Sequence, residues 1–211
     1  MALLRKPDQP RPAPLDPADN RLDTHTLNQD LRSDSADIRR RAAADLSGCQ
    51  QAASWLLQQL QHETSASVRQ VIITSLTRIN TPEAVKGLAD CLRVEDARLR
   101  NDAIEAMKQM PEAMAPVIEM LLKDTDADIR IFAINILESL CHENVEAWLL
   151  DVMDTDPGIN VVCAALDVIG EVGTERALPV LERTACRFDD AYVRFACELA
   201  IRHIADGRST S

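Results

Sequence analysis

An apolar residue followed by arginine recurs along the chain, at Ile38-Arg39, Val68-Arg69, Leu99-Arg100, Ile129-Arg130 and Val193-Arg194. Val161-Val162 takes the same place in the one wide gap, and the intervals become 30, 31, 30, 32 and 32 residues. Self-similarity at this period marks a stack of short supersecondary units, none of which can bury its apolar face alone. Further positions fall into the same register. Four residues past each anchor stand Ala42, Ile72, Ala103, Ala133, Ala165 and Cys197; eight past stand Leu46, Leu76, Met107, Leu137, Ile169 and Ile201. Eleven past stand Cys49, Ile79, Met110, Leu140, Val172 and Ile204. Offsets of 0, 4, 8 and 11 draw one apolar stripe down a helix of three to four turns. The small residues at the second offset predict a close approach by a neighbouring helix.

Each of these helices has a start signal. Ser35, Ser65, Asp96, Asp126 and Asp190 lie three residues before their anchors, and alanine follows every one. Such side chains accept hydrogen bonds from the free amides of a first turn, which predicts N-caps. A preceding helix recurs as well. Trp55-Leu56-Leu57 and Trp148-Leu149-Leu150 both begin 13 residues before Val68 and Val161, which supports Val161 over Ile159 as the fifth anchor. Leu27 and Leu31 predict a short helix completing the first hairpin. The expected fold is all-α, a solenoid (superhelix) of about six helical hairpins.

A hairpin repeat whose second helix opens (Asp/Ser)-Ala-x-(apolar)-Arg resembles the HEAT-like repeats of phycobilin lyase subunits and many bacterial adaptor proteins, and the resemblance covers residues 24–205. It implies a protein-interaction scaffold or assembly factor holding a partner along its concave face. The other branch it implies is a lyase or other enzyme subunit acting on a tetrapyrrole or a protein substrate. It also implies that the recurring Arg39, Arg69, Arg100, Arg130 and Arg194 pair with acidic groups of the same or next repeat. Asp96, Asp126, Asp128 and Asp190 lie close by in sequence for that ladder, and the guanidinium fork suits carboxylates. Unit five departs from the pattern: Val162 stands where the arginine should be, behind Asp156-Pro157-Gly158, with Pro157 expected at the first helical position after an Asp156 cap.

Composition narrows the rest. Hydrophobic residues make up 46% of the 211 and aromatics 3%, so the core is aliphatic. Five of the ten prolines lie in the first 17 residues, which predicts an extended, disordered arm over 1–21, a repeat domain over 22–205 and a flexible tail over 206–211. A net charge of −11 disfavours nucleic acid and anionic membrane surfaces and favours a basic or amphipathic protein segment. No apolar run is long enough to span a bilayer. Six cysteines without a CxxC pair read as free, mostly core-filling thiols in a reducing cytoplasm.

Candidate chemistry is sparse. HEAT-like deoxyhypusine hydroxylases hold iron with His-Glu pairs near the start of the second helix. Here His62-Glu63 precedes that helix and His142-Glu143 follows it, out of phase with each other, so no iron site is expected. No phosphate loop, HExxH or nucleophile elbow occurs, and no catalytic, metal or cofactor residue is assigned. The expectation is a non-enzymatic scaffold. Its candidate protein-binding surface lies opposite the stripe on the later second helices: Asn101, Glu105, Ile131, Asn135, Glu138, Asp167 and Phe195. Glu105, Glu138 and Asp167 form an acidic row there, beside an exposed Ile131.

Overall fold

The computed structural model describes residues 17–207, with side chains from Thr24 onward. Helices α1 (Pro17–Asp30) and α2 (Ala36–Asp45) form the first hairpin, α3 (Ala53–His62) and α4 (Ala66–Ile79) the second, and α5 (Pro82–Asp90) and α6 (Ala97–Lys108) the third. Helices α7 (Pro111–Leu122) and α8 (Ala127–Leu137), α9 (Val145–Thr155) and α10 (Ile159–Val172), and α11 (Leu178–Arg187) and α12 (Ala191–Gly207) complete the stack. Among the described residues there is no strand. No described helix is long and apolar enough to cross a membrane.

The predicted stripe is the spine of the core. Ala42, Ile72, Ala103, Ala133, Ala165 and Cys197 are all buried, as are Leu46, Leu76, Met107, Leu137 and Ile169 of the next row. With little beyond Cβ at most of the first set, consecutive second helices pack directly on one another from α2 to α12. The first helices form a looser row in which α7 and α9 make little contact. In a curved stack the closer-packed row lies inside, which gives the second helices the concave side. Two stripe positions fail for lack of a neighbour: Ile38 on the first second-helix and Val172 at the end of α10 are exposed.

The helix starts follow the register, with one chemical distinction. Asp96 accepts from the amides of Arg98 and Leu99, Asp126 from Asp128, and Asp190 from Tyr192 and Val193. Ser35 and Ser65 occupy the N-cap position without accepting from the first-turn amides, Ser65 bonding instead to the Ser67 hydroxyl at 3.0 Å. In the fifth unit Val161 is fully buried and Ile159 half-buried, so Val161 is the anchor. Pro157, however, is not the first helical residue. Gly158 is the N-cap of α10, because the Asp156 carboxylate is turned toward Arg130 and reaches only the Gly158 amide, at 2.8 Å.

The expected arm over 1–21 overlaps the described residues at 17–21, and these already belong to α1, with Pro17 as its first residue. A proline there lacks only an amide that would be unpaired in any case. Similarly, α12 continues through Asp206 and Gly207 into the expected tail. Residues 1–16 and 208–211 lie outside the described residues.

Gly173 closes α10 and leaves no room for a side chain. A Cβ there would lie 2.4 Å from the Ile169 carbonyl oxygen and 3.2 Å from Ile204 Cδ1. The backbone, at φ −68°, suits any residue, so the constraint is space alone. Gly173→Ala should cost about 1–3 kcal/mol of stability by forcing the end of α10 off Ile204. An unchanged urea midpoint for that variant would contradict this reading.

Candidate functional site

The recurring arginines are the most regular polar feature of the stack. Arg39 sits behind α2's first turn, where its Nη1 donates to the Ser33 and Asp34 carbonyls at 2.8 and 3.0 Å. Its remaining edge meets Glu63 of the next hairpin in a two-point pair, both bonds 2.8 Å. Arg130 repeats the arrangement: Nη1 donates to the Asp124 carbonyl at 2.8 Å, and the fork meets Asp156 at 2.6 and 3.1 Å. Arg69 reaches the Asp96 carboxylate at 2.6 Å. Each of these arginines therefore satisfies the turn of its own hairpin while binding the acid of the following one.

Two of these acids were missed by inspection of the sequence. Glu63 and Asp156 both lie five residues before the next anchor, and both are buried. Of the expected partners, Asp96, Asp126 and Asp190 at the cap position three before it and Asp128 one before it, only Asp96 pairs with a ladder arginine. Asp126 and Asp190 are used as caps instead. The Arg39 guanidinium, helped by the Ser65 amide and Gln59, holds the Glu63 carboxyl at about 2, against the cost of burial. Glu63 is thereby committed to structure, and the His62-Glu63 pair has no free carboxylate to offer a metal. Among the described residues no three His, Cys, Asp or Glu side chains gather as a metal site.

Two further arginines depart from the ladder. Asp124 occupies the position equivalent to Glu63 and Asp156, but Arg93 takes it. Arg100 instead lies over the Phe132 ring, 5.2 Å from its centroid, and donates to the Val94 carbonyl at 2.9 Å. Arg194 pairs only with Asp189 of its own turn, at the exposed end of the stack. The break at Val162 is filled from the other side. Arg187, at the end of α11, reaches back to donate to the carbonyls of Asp154 and Asp156, the turn that an arginine at 162 would have served.

The candidate surface residues divide between places. Glu105, paired with Lys108 at 3.1 Å, lines a cleft of about 270 Å³ between α4 and α6, with Gln70, Thr74 and Asp102. Asn101, Asn135 and Glu138 are exposed but line neither that cleft nor the next. Ile131 is half-buried and packed against the core rather than exposed. The acidic row is thus spread along three helices instead of lining one groove.

Asp167 and Phe195 do come together. They border a second cleft of about 270 Å³ between α10 and α12, floored by Leu166, Gly170, Ala196 and Ala200. Tyr192, unnoticed in the sequence, stands beside them and donates its hydroxyl to Asp167 at 3.2 Å. The Asp167 charge pushes the Tyr192 phenol above its ordinary value. Tyr192, Phe195 and Leu199, spaced at one helical face, are 52%, 56% and 38% exposed. The chain has six aromatic residues, and the two exposed ones among the described residues share this cleft.

Of the cysteines, Cys91 and Cys197 are buried, with burial pushing both thiols up to about 11. Cys49 and Cys163 are half-buried, and Cys141 and Cys186 are exposed rather than core-filling.

Comparison with curated proteins gives no match. Among solved structures the chain is similar to an archaeal HEAT-like repeats protein from Thermococcus onnurineus, at 14% identity over 90% of this chain and 89% of that one, with a TM-score of 0.47. It is also similar to human deoxyhypusine hydroxylase, at 18% identity over 87% and 84% with a TM-score of 0.46. A third is a chain from the structure of the phycocyanin lyase complex of Nostoc, at 16% identity over 100% and 95% with a TM-score of 0.37. A family model of HEAT repeats matches residues 25–108 and 114–202, which is most of the chain and covers all six hairpins in whole or part. The chain belongs to the HEAT repeat family.

Proposed function

We propose that this protein is a non-enzymatic scaffold that holds a partner protein on the inner, second-helix side of its stack, with the α10–α12 cleft as the principal contact. The observation that carries this reading is the cleft itself. Its aliphatic floor, two exposed aromatic rings and the carboxylates of Asp167 and Glu171 suit a segment pairing a cationic side chain with a bulky apolar one. Aromatic faces attract cations, and carboxylates at the rim steer them. A net charge of −11 favours such a partner over phosphate-bearing ones. Six free cysteines are in keeping with a reducing compartment such as the cytoplasm.

Affinity capture with the full chain tests the reading. One defined partner should be retained by the wild type, and its affinity should fall at least tenfold with Phe195→Ala plus Asp167→Lys while the helical content and unfolding midpoint hold. Purified protein carrying stoichiometric iron or a visible chromophore would overturn it in favour of the enzyme-subunit reading. So would a partner whose binding ignores both substitutions.

A further inference from the structure

The α10–α12 cleft has a candidate occupant within this chain. The edge of α12 away from the cleft carries Arg194 and Glu198, both exposed. The aromatic patch is displaced from that edge onto the inner groove, where a strand or helix can lie but another hairpin cannot. Residues 1–16, outside the described region, contain Leu3-Leu4-Arg5-Lys6, two large aliphatic side chains directly followed by two cations. This is the chemistry the cleft presents in reverse: Phe195, Leu199 and Leu166 for the leucines, Asp167 and Glu171 for the cations. With three basic and two acidic residues, the segment is also opposite in sign to the acidic body of the chain.

Reach decides which molecule supplies it. Four to five steps of helix packing at about 9–10 Å each separate α2 from the α10–α12 cleft, about 40–45 Å to its middle. Twelve residues from Arg5 to Pro17, fully extended, span at most about 43 Å. A segment tethered at α1 of the same stack reaches the last cleft only when almost fully extended, which conformational entropy opposes. We propose that Leu3–Lys6 of one molecule docks in the α10–α12 cleft of a second copy, linking first repeat to last. This inference rests on the cleft being the protein-binding site.

Sedimentation velocity of the full chain, read with two complementary variants, tests it. Leu3→Glu/Leu4→Glu removes the insert and keeps the cleft; Phe195→Ala spoils the cleft and keeps the insert. Wild-type protein should self-associate with concentration, and more weakly at high salt. Each variant alone should associate at least tenfold more weakly, while an equimolar mixture should form one-to-one heterodimers, because each lacks what the other has. A synthetic peptide of residues 2–14 should bind the Leu3→Glu/Leu4→Glu protein and not the Phe195→Ala protein. A monomeric wild type at several hundred micromolar, or no complementation in the mixture, overturns the inference. So does peptide binding by a protein that stays monomeric, which would mean docking within one molecule. None of these results touches the scaffold reading, whose own test is capture of a different partner through the same residues.

Discussion

Glu63→Ala is expected to lower the stability of the whole stack by about 3 kcal/mol at neutral pH, because it strips a part-buried guanidinium of its buried charge partner. The Arg39 and Glu63 side chains are 14% and 1% exposed and bond at two points. Arg39 would keep its two turn carbonyls but not its counter-charge. The effect carries a pH signature. The Glu63 carboxyl titrates at about 2 in the folded protein and near its ordinary 4.5 when unfolded. A depressed folded value means that this stabilisation is complete above the unfolded value and is lost as pH falls toward the folded one. Linkage across that interval is worth about 3 kcal/mol. Urea unfolding of wild type and Glu63→Ala at pH 7, 4 and 3 should therefore show the two converging as pH falls. A gap that stays constant would remove the ion pair as the cause.

Asp156→Ala should cost a similar amount and do something different with it. Its carboxylate serves both Arg130, whose side chain is 11% exposed, and the amide of Gly158 at the start of α10. It stands at the joint between the fourth and fifth hairpins. Stacked repeats hold together by nearest-neighbour terms, so weakening one joint by about 3 kcal/mol uncouples what lies beyond it. Hydrogen exchange should show protection lost in α9 to α12 and retained in α4 and α6. Uniform loss along the chain would sink this account. The exposed Arg194–Asp189 pair serves as a control, since Arg194→Ala should cost under about 1 kcal/mol.

How far these joints were legible in the sequence depends on what kind of signal they leave. The apolar stripe was readable because burial at one helix face repeats in every unit, and even the substitution of Val161 for Ile159 as anchor followed from the Trp55 and Trp148 offsets. The aspartate caps were readable because an N-cap acts on its own first turn. The ladder acids were not, since Glu63 and Asp156 act across some two dozen residues and bear no local mark. Likewise nothing near Val162 announces that Arg187 reaches back to the same turn. The α10–α12 cleft was half visible. Asp167 and Phe195 share the outward face predicted for them, but Tyr192 lies one residue before the anchor Val193, off the repeating offsets. Ile131 had the right offset and the wrong surroundings, because exposure at a given helical position depends on what packs around it.

The reversed contact at Arg187 makes the array keyed at one end. In the first, second and fourth junctions a cation projects forward and an acid receives it, so a hairpin duplicated among them would find a compatible neighbour on either side. Between the fifth and sixth hairpins the cations project backward, Arg187 onto carbonyls and Arg183 onto the Asp154 carboxylate. The last hairpin, which carries half of the aromatic cleft, therefore fits only behind the fifth. Insertion or loss of hairpins can lengthen or shorten the middle of such a protein, but its closing pair must travel together.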